Sequence, residues 1–346
     1  MKTTFLALAV GLAVAAAPGR DSLNCRELGG WPFGSSEAVA LDPARSLSFI
    51  GSGGGVYLLD VSDPTQPRKL SETIRTQGIV QGVSLRADRL YIAAGQAGLE
   101  IRDVADPTDP ALLSRLATPG AARGVAVSNN HALVAAWVAG LRVIDVSDPR
   151  NPFETGSCTI PGWAYGVAVS GGHAFVAAGG GGLRVINISD PQHPYEASYL
   201  QTPGWAYGVV VSGSSAFVAA GSNGLRVIDI SDPQFPHETG YVATPGMAYG
   251  VAVSGGHAFV AAGYSGLRVI NISDPQHPFE TGYCATPGEA RGVAAGNGQA
   301  HVADSETGLR VVDVSDPQTP FETGQYDTRA AARCGWRGAF FHARPV

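Results

Sequence analysis

Tyrosine, tryptophan and arginine recur in this chain at positions where they could bind, or act on, a small molecule. Equivalent points of the repeat described below carry Ser36, Gln81, Arg123, Tyr165, Tyr207, Tyr249 and Arg291. Trp163, Trp205 and Met247 stand beside them, and a second variable segment contributes Trp137 and Tyr264. Trp and Tyr give large contact area at low entropic cost and keep a polar handle, which is why binding surfaces use them next to Arg. Such a set suits sugars and aromatic or cyclic small molecules. On a chain of net charge −6 it favours neutral or anionic partners over cations. The same groups also support an enzyme of the lyase, isomerase or cyclase type. There Tyr165, Tyr207 and Tyr249 would serve as acids or hydrogen-bond donors, and Arg123 and Arg291 would hold an anion. A tyrosine base near neutrality needs a lowered pKa, for example from a neighbouring arginine. For Trp163 and Trp205 the structural alternative is that they cap the core between repeats.

The polar residues that do not vary read differently. An aspartate before proline stands at Asp63, Asp106, Asp148, Asp190, Asp232, Asp274 and Asp316, at intervals of 43 and then 42 residues. Asp145 and Asp148 lie close enough to suggest calcium, but that ion takes about 6 to 8 oxygens, usually from a glycine-rich loop of alternating carboxylates. An Asp that opens a turn accepts backbone N–H groups two or three residues on, and a following Pro presets φ. These aspartates are therefore read as turn caps. Arg142, Arg184, Arg226, Arg268 and Arg310 recur on an apolar segment, where a carboxylate or carbonyl of an adjacent unit is the expected partner. His131, His173 and His257 recur at one position, and His193 and His277 in Asp-Pro-Gln-His-Pro segments, too far apart in a ring to share an ion. Identity between copies argues for scaffold, so no metal and no cofactor is expected. No nucleophile-elbow, zinc-helix or phosphate-loop motif occurs, and a metal-dependent hydrolase is the least favoured reading.

The elements that must position these groups are short strands. Between successive aspartates the text is nearly copied: Gly166-Val-Ala-Val-Ser, His173-Ala-Phe-Val-Ala-Ala, Gly182-Leu-Arg-Val-Ile-Asn-Ile, then Tyr195-Glu-Ala-Ser-Tyr-Leu. Each piece is rich in β-formers and bounded by Gly, Pro, Asn or Ser. Gly171-Gly172, Gly255-Gly256 and Asn129-Asn130 accept the positive φ of a tight hairpin. Each repeat is thus a four-stranded antiparallel meander, at the period of a propeller blade. The middle strands are apolar on both faces, as sheets packed between neighbouring sheets must be. The expected fold is all-β, a seven-bladed β-propeller of about 42-residue repeats over residues 36–328. Connections from strand four to strand one, and from strand two to strand three, emerge on one face, which collects the variable Trp, Tyr and Arg residues around the channel.

The Gly-Leu-Arg-Val-Ile-Asp-Val-Ser-Asp-Pro core at Gly140 to Pro149, with its copies, resembles the LVIVD repeat of exported bacterial and archaeal surface proteins. The resemblance implies a β-propeller outside a prokaryotic cell and carries over no shared catalytic residues. Repeats one and two depart most, with Gly55-Val-Tyr-Leu-Leu-Asp and Gly98-Leu-Glu-Ile-Arg-Asp. The function expected is a binding module acting on a protein, glycan or small-molecule ligand through the face formed by Arg123, Trp137, Trp163, Tyr165, Trp205, Tyr207, Met247, Tyr249, Tyr264 and Arg291. The channel-mouth enzyme is the alternative.

Composition agrees. With 46 Gly and 23 Pro, and only 15% charged residues, a helical bundle or coiled coil is excluded. No basic run offers a footprint for nucleic acid or anionic lipid. Lys2 followed by the apolar stretch Phe5 to Ala17 reads as a signal peptide over residues 1–17, too short to span a bilayer. An uncleaved anchor, or a lipid on Cys25, is the alternative. A secreted, periplasmic or cell-surface monomer without a membrane span is expected. Residues 18–35 hold a possible ring-closing strand at Arg26 to Trp31, in competition with Phe321 to Gln325, and residues 329–346 a degenerate start of a further repeat. Cys158 and Cys284 are expected as packed side chains. Cys25 and Cys334 flank the ends of the ring, where an oxidising compartment would allow a disulfide.

Overall fold

Each copy of the repeat folds as the alternation of its strands requires. The computed structural model describes residues 34–328, which form seven antiparallel sheets, each made of one contiguous stretch of chain in strand order. Blades one to seven span 36–75, 82–116, 124–158, 166–200, 208–242, 250–284 and 292–326. Inner strands contact the next blade all round, and that of blade seven (Gly292–Gly296) meets that of blade one (Ser36–Asp42), which closes the seven-bladed propeller.

The core lies between blades. In blade four, Ala174 and Val176 pack against Leu133 and Ala135 of blade three, whereas Phe175 and Ala177 pack against Ala216 and Val218 of blade five. Side-chain period two thus divides one strand between two neighbours. Phe175, Phe217 and Phe259 fill space that the facing alanines leave. The first-strand glycines let the inner strands approach. A Cβ on Gly166 would stand 2.9 Å from the Tyr207 carbonyl oxygen, and one on Gly208 2.7 Å from that of Tyr249.

The repeated polar groups act locally. Asp63, Asp148 and Asp190 accept the N–H of Thr65, Arg150 and Gln192 at 3.0 Å, so these carboxylates cap their turns. The recurring arginines differ from expectation. Arg142, Arg184, Arg226, Arg268 and Arg310 pair with Glu154, Glu196, Glu238, Glu280 and Glu322 of the outer strand of the same blade, at 3.1–3.3 Å, and not with an adjacent blade. A bulge in each outer strand is the cause. Its extra residue places Glu154 opposite Ile144, on the face that Arg142 shares; without it Glu154 would point the other way. Blade two inverts the charges, with buried Glu100 on the third strand held by Arg102 and Arg115.

Blade one departs in two places. Its outer strand is split into Arg68–Lys69 and Ile74–Arg75, both paired to Gly55–Asp60. Its first strand carries a bulge between Ser36 and Ala38. Blade seven has its own outer strand, Phe321–Tyr326. The segment Arg26 to Trp31, the signal peptide, Cys25, Cys334 and residues 329–346 lie outside the described residues. Cys158 and Cys284 are free and buried, and burial pushes both thiols up. Among the described residues no helix is long and apolar enough to cross a membrane.

Candidate functional site

Backbone pairing between blades builds the mouth of the channel. Antiparallel bridges join the loop between strands two and three of one blade to the segment entering the next: Gly95 to Ala122, Trp137 to Ala164, Gly179 to Ala206, Gly221 to Ala248, Gly263 to Ala290 and Ser305 to Ser36. Both variable loops are therefore stitched into one face. The residue after each bridge lines the channel, as does Gln81 after Val80, whose N–H donates to the Gly53 carbonyl, so the rim reads Glu37, Gln81, Arg123, Tyr165, Tyr207, Tyr249 and Arg291. Ser36 is thus a correction. It takes the place of the bridging alanines and is buried, and Glu37 occupies the rim instead. The rim encloses a funnel of about 330 Å³.

Three tyrosines form a continuous arc. Tyr165 and Tyr207 lie 5.2 Å apart between ring centroids, and Tyr207 and Tyr249 5.3 Å apart, with interplanar angles of 63° and 58°. An arginine closes each end. Arg123 lies 5.9 Å from the Tyr165 ring and Arg291 4.2 Å from the Tyr249 ring. Tryptophans make a second arc, with Trp137 to Trp163 at 5.7 Å, Trp163 to Trp205 at 5.1 Å, and Trp205 to Tyr207 at 6.3 Å. Arg123 also stands 5.5 Å from the Trp137 ring, which ties the two arcs together. Trp163 and Trp205 remain 40% and 42% exposed. They pack edge to face and still present a surface to solvent.

The two arginines are not equivalent. Arg291 donates to Glu289 at 2.8 Å and feels Glu37; these carboxylates more than offset its burial and raise its pKa. Arg123 donates through Nη1 to the neutral Gln81 and has no carboxylate partner among the described residues. Burial pushes the phenols of Tyr207 and Tyr249 up, with Tyr165 adding to the first and Arg291 only partly opposing both. That is opposite to what a tyrosine base needs, and leaves these phenols as neutral donors and acceptors.

Of the residues singled out from sequence, Arg123, Trp137, Trp163, Tyr165, Trp205, Tyr207, Tyr249 and Arg291 form one connected set. Met247 continues the outer arc by lying over Gly221. Tyr264 does not join; it is 82% exposed on its loop and makes no ring contact among the described residues. Glu37 and Glu289 belong to the site and were not anticipated. Glu289 stands two residues before Arg291, as Trp163, Trp205 and Met247 stand before their tyrosines, so the same column carried the signal. Trp137 has a further mark. Its φ is +47° where Gly95, Gly179, Gly221 and Gly263 hold the equivalent place, and its Nε1 is buried without an acceptor. A bulky residue in the left-handed region costs about 1–2 kcal/mol and is found where something else requires it.

Six consecutive stretches, residues 77–118, 119–160, 161–202, 203–244, 245–286 and 287–328, match the family model described as the LVIVD repeat. No curated protein matches the chain in sequence. Among solved structures, the β-propeller domain of Cps50 (Swd1) from Myceliophteria thermophila is similar, with a TM-score of 0.64 at 13% identity, over 83% of this chain and 98% of that one. The WD40 β-propeller domain of Doa1 gives a TM-score of 0.62 at 13% identity, over 80% of this chain and 92% of that one. A functionally unknown protein from Desulfotomaculum acetoxidans gives 0.61 at 16% identity, over 72% and 85%. At these identities the likeness is one of fold.

Proposed function

The chain belongs to the LVIVD repeat family, and from that premise we propose that it is an exported binding module whose recognition surface is the mouth of the channel. Lys2 and the apolar stretch Phe5 to Ala17 support export. The observation that carries the reading is the contact between unlike copies. Blades that are near-identical elsewhere place Trp137, Trp163 and Trp205 in a contiguous, mutually tilted arc beside Tyr165, Tyr207 and Tyr249, with Trp163 and Trp205 exposed. Aromatic and arginine side chains clustered around a concave opening are what ligands and partners dock on. The partner classes it suits are a glycan, a small cyclic molecule or a protein loop, met by a single copy of the chain. The upward shift of Tyr207 and Tyr249 gives no support to the channel-mouth enzyme.

The test is the full chain on a glycan array and on immobilised cell-surface extract, compared with the Trp163→Ala/Trp205→Ala pair. Tyr195→Ser and Phe279→Ser, exposed at the opposite end of the outer strands, serve as controls. The reading predicts binding lost in the first pair and kept in the controls. Binding that survives the tryptophan pair, or none by the parent chain, contradicts it.

A further inference from the structure

We propose that the mouth holds the carboxylate of an acidic sugar, with Arg123 as the residue that selects the charge. This deepens the preceding reading and rests on it. Charge at the mouth is unevenly matched. Arg291 is engaged by Glu289 and lies near Glu37, whereas the contact of Arg123 is the neutral side chain of Gln81 through Nη1. Nη2 of Arg123 has no hydrogen-bond partner among the described residues, and Arg123 lines the funnel. The guanidinium therefore meets no carboxylate among them and leaves one donor unfilled next to the funnel. A carboxylate is its natural complement, since arginine takes carboxylates through paired N–H donors.

The rest of the site indicates what carries that carboxylate. Tyr165, Tyr207 and Tyr249 are mutually tilted by 63° and 58°, so no two rings form a parallel slot for a flat aromatic molecule. The phenol hydroxyls of Tyr165 and Tyr207 make no hydrogen bond within the described residues. Each can donate and accept, which matches the hydroxyls of a sugar ring. Exposed Trp163 and Trp205 offer apolar faces for its C–H side. The funnel, at about 330 Å³, lies at the small end of ligand pockets and fits the terminal residue of a chain better than its middle.

Trp137 is an independent indication at the same corner. It holds a left-handed backbone at φ +47° that four other blades assign to glycine, it packs on Arg123, and its Nε1 lacks an acceptor. Glycine there would relieve the backbone. The tryptophan stands where its ring braces the Arg123 guanidinium.

The experiment is calorimetric titration of the full chain with methyl β-D-glucuronide and with methyl β-D-glucoside at low and moderate salt. A charge-assisted hydrogen bond corresponds to a preference of about 10-fold or more for the glucuronide, weakening as salt rises. Arg123→Gln should abolish that preference while leaving thermal unfolding unchanged, and Trp137→Gly should reduce it in a folded protein. Equal affinity for the two sugars, or a preference that survives Arg123→Gln, overturns the inference. Failure of the glucuronide to bind also overturns it. In that case partners that still require Trp163 and Trp205 would leave the general binding reading standing.

Discussion

Two regions depart from the repeat, and they depart in opposite ways. At blade seven and its junction with blade one, apolar and glycine positions are replaced by Asp304, Ser305, His301 and Ser36, and Tyr57 and Thr328 join them. Nearly all of this polarity is consumed internally. Asp304, fully buried, accepts from Thr286 Oγ1 at 2.6 Å, from the Gly288 N–H at 2.8 Å and from Thr307 Oγ1. Ser36 and Ser305 exchange backbone hydrogen bonds at 2.8 and 3.1 Å, and the Tyr57 hydroxyl donates to the Thr328 carbonyl at 3.1 Å. At the mouth over blades three to six, Arg123 has an Nη2 without a partner among the described residues, and two tryptophans stay exposed. Variation that satisfies itself holds the ring shut. Variation left unsatisfied is available to a ligand.

That contrast is open to direct attack. The largest expected effect is at the junction. Asp304→Ala strands two donors, the Thr286 hydroxyl and the Gly288 N–H, each worth about 1–3 kcal/mol when buried and unpaired, and removes the carboxylate beside buried Arg310, so chemical denaturation should show a loss of about 3 kcal/mol or more. A loss below about 1 kcal/mol would mean that the buried carboxylate is not structural.

His301 gives the next. It lies where blades four to six carry Phe175, Phe217 and Phe259, and burial depresses its pKa to about 4. Between that value and an unfolded value near 6.5, the unfolded chain binds the extra proton. Stability contributed by this group is therefore full above the unfolded pKa and falls as pH drops toward 4, by about 3 kcal/mol at most. His301→Phe should flatten this dependence in denaturation curves taken from pH 7 to pH 4. An unchanged slope would place the titration elsewhere.

At the mouth the expected stability effects are smaller and the binding effects larger. Trp163→Ala/Trp205→Ala removes an edge-to-face pair worth about 0.5–1.5 kcal/mol beyond its buried area, and its melting temperature should move far less than that of Asp304→Ala. A shift as large as that of Asp304→Ala would assign the tryptophans to the core. Trp137→Gly should change stability least. Relief of about 1–2 kcal/mol of left-handed strain offsets the lost packing, and a large melting shift in either direction would show that this balance is misjudged.

Much of this was legible in the sequence because the copies repeat. Seven Asp-Pro turns in register set the blade count, apolar residues on both faces of the middle strands required neighbouring sheets, and the columns before each first strand marked most of the mouth. What was not legible depends on insertions. Blade one turns its first hairpin over four residues, 43–46, where blade three uses two, which hides that Glu37 and not Ser36 reaches the rim, and the bulge in each outer strand turned the recurring glutamates onto the arginine face of their own blade. A bulge changes which face a side chain takes without altering the pattern around it. The strain at Trp137 was visible in principle as a tryptophan in a glycine column.

The measurement that bears most directly on the central claim is the binding of the Trp163→Ala/Trp205→Ala chain to the glycan array, read beside its melting curve. The account predicts a folded protein, melting within a few degrees of the parent, that has lost the array signal. A variant that keeps the signal, or loses it only because it has unfolded, would contradict the claim that these residues are held open for a ligand.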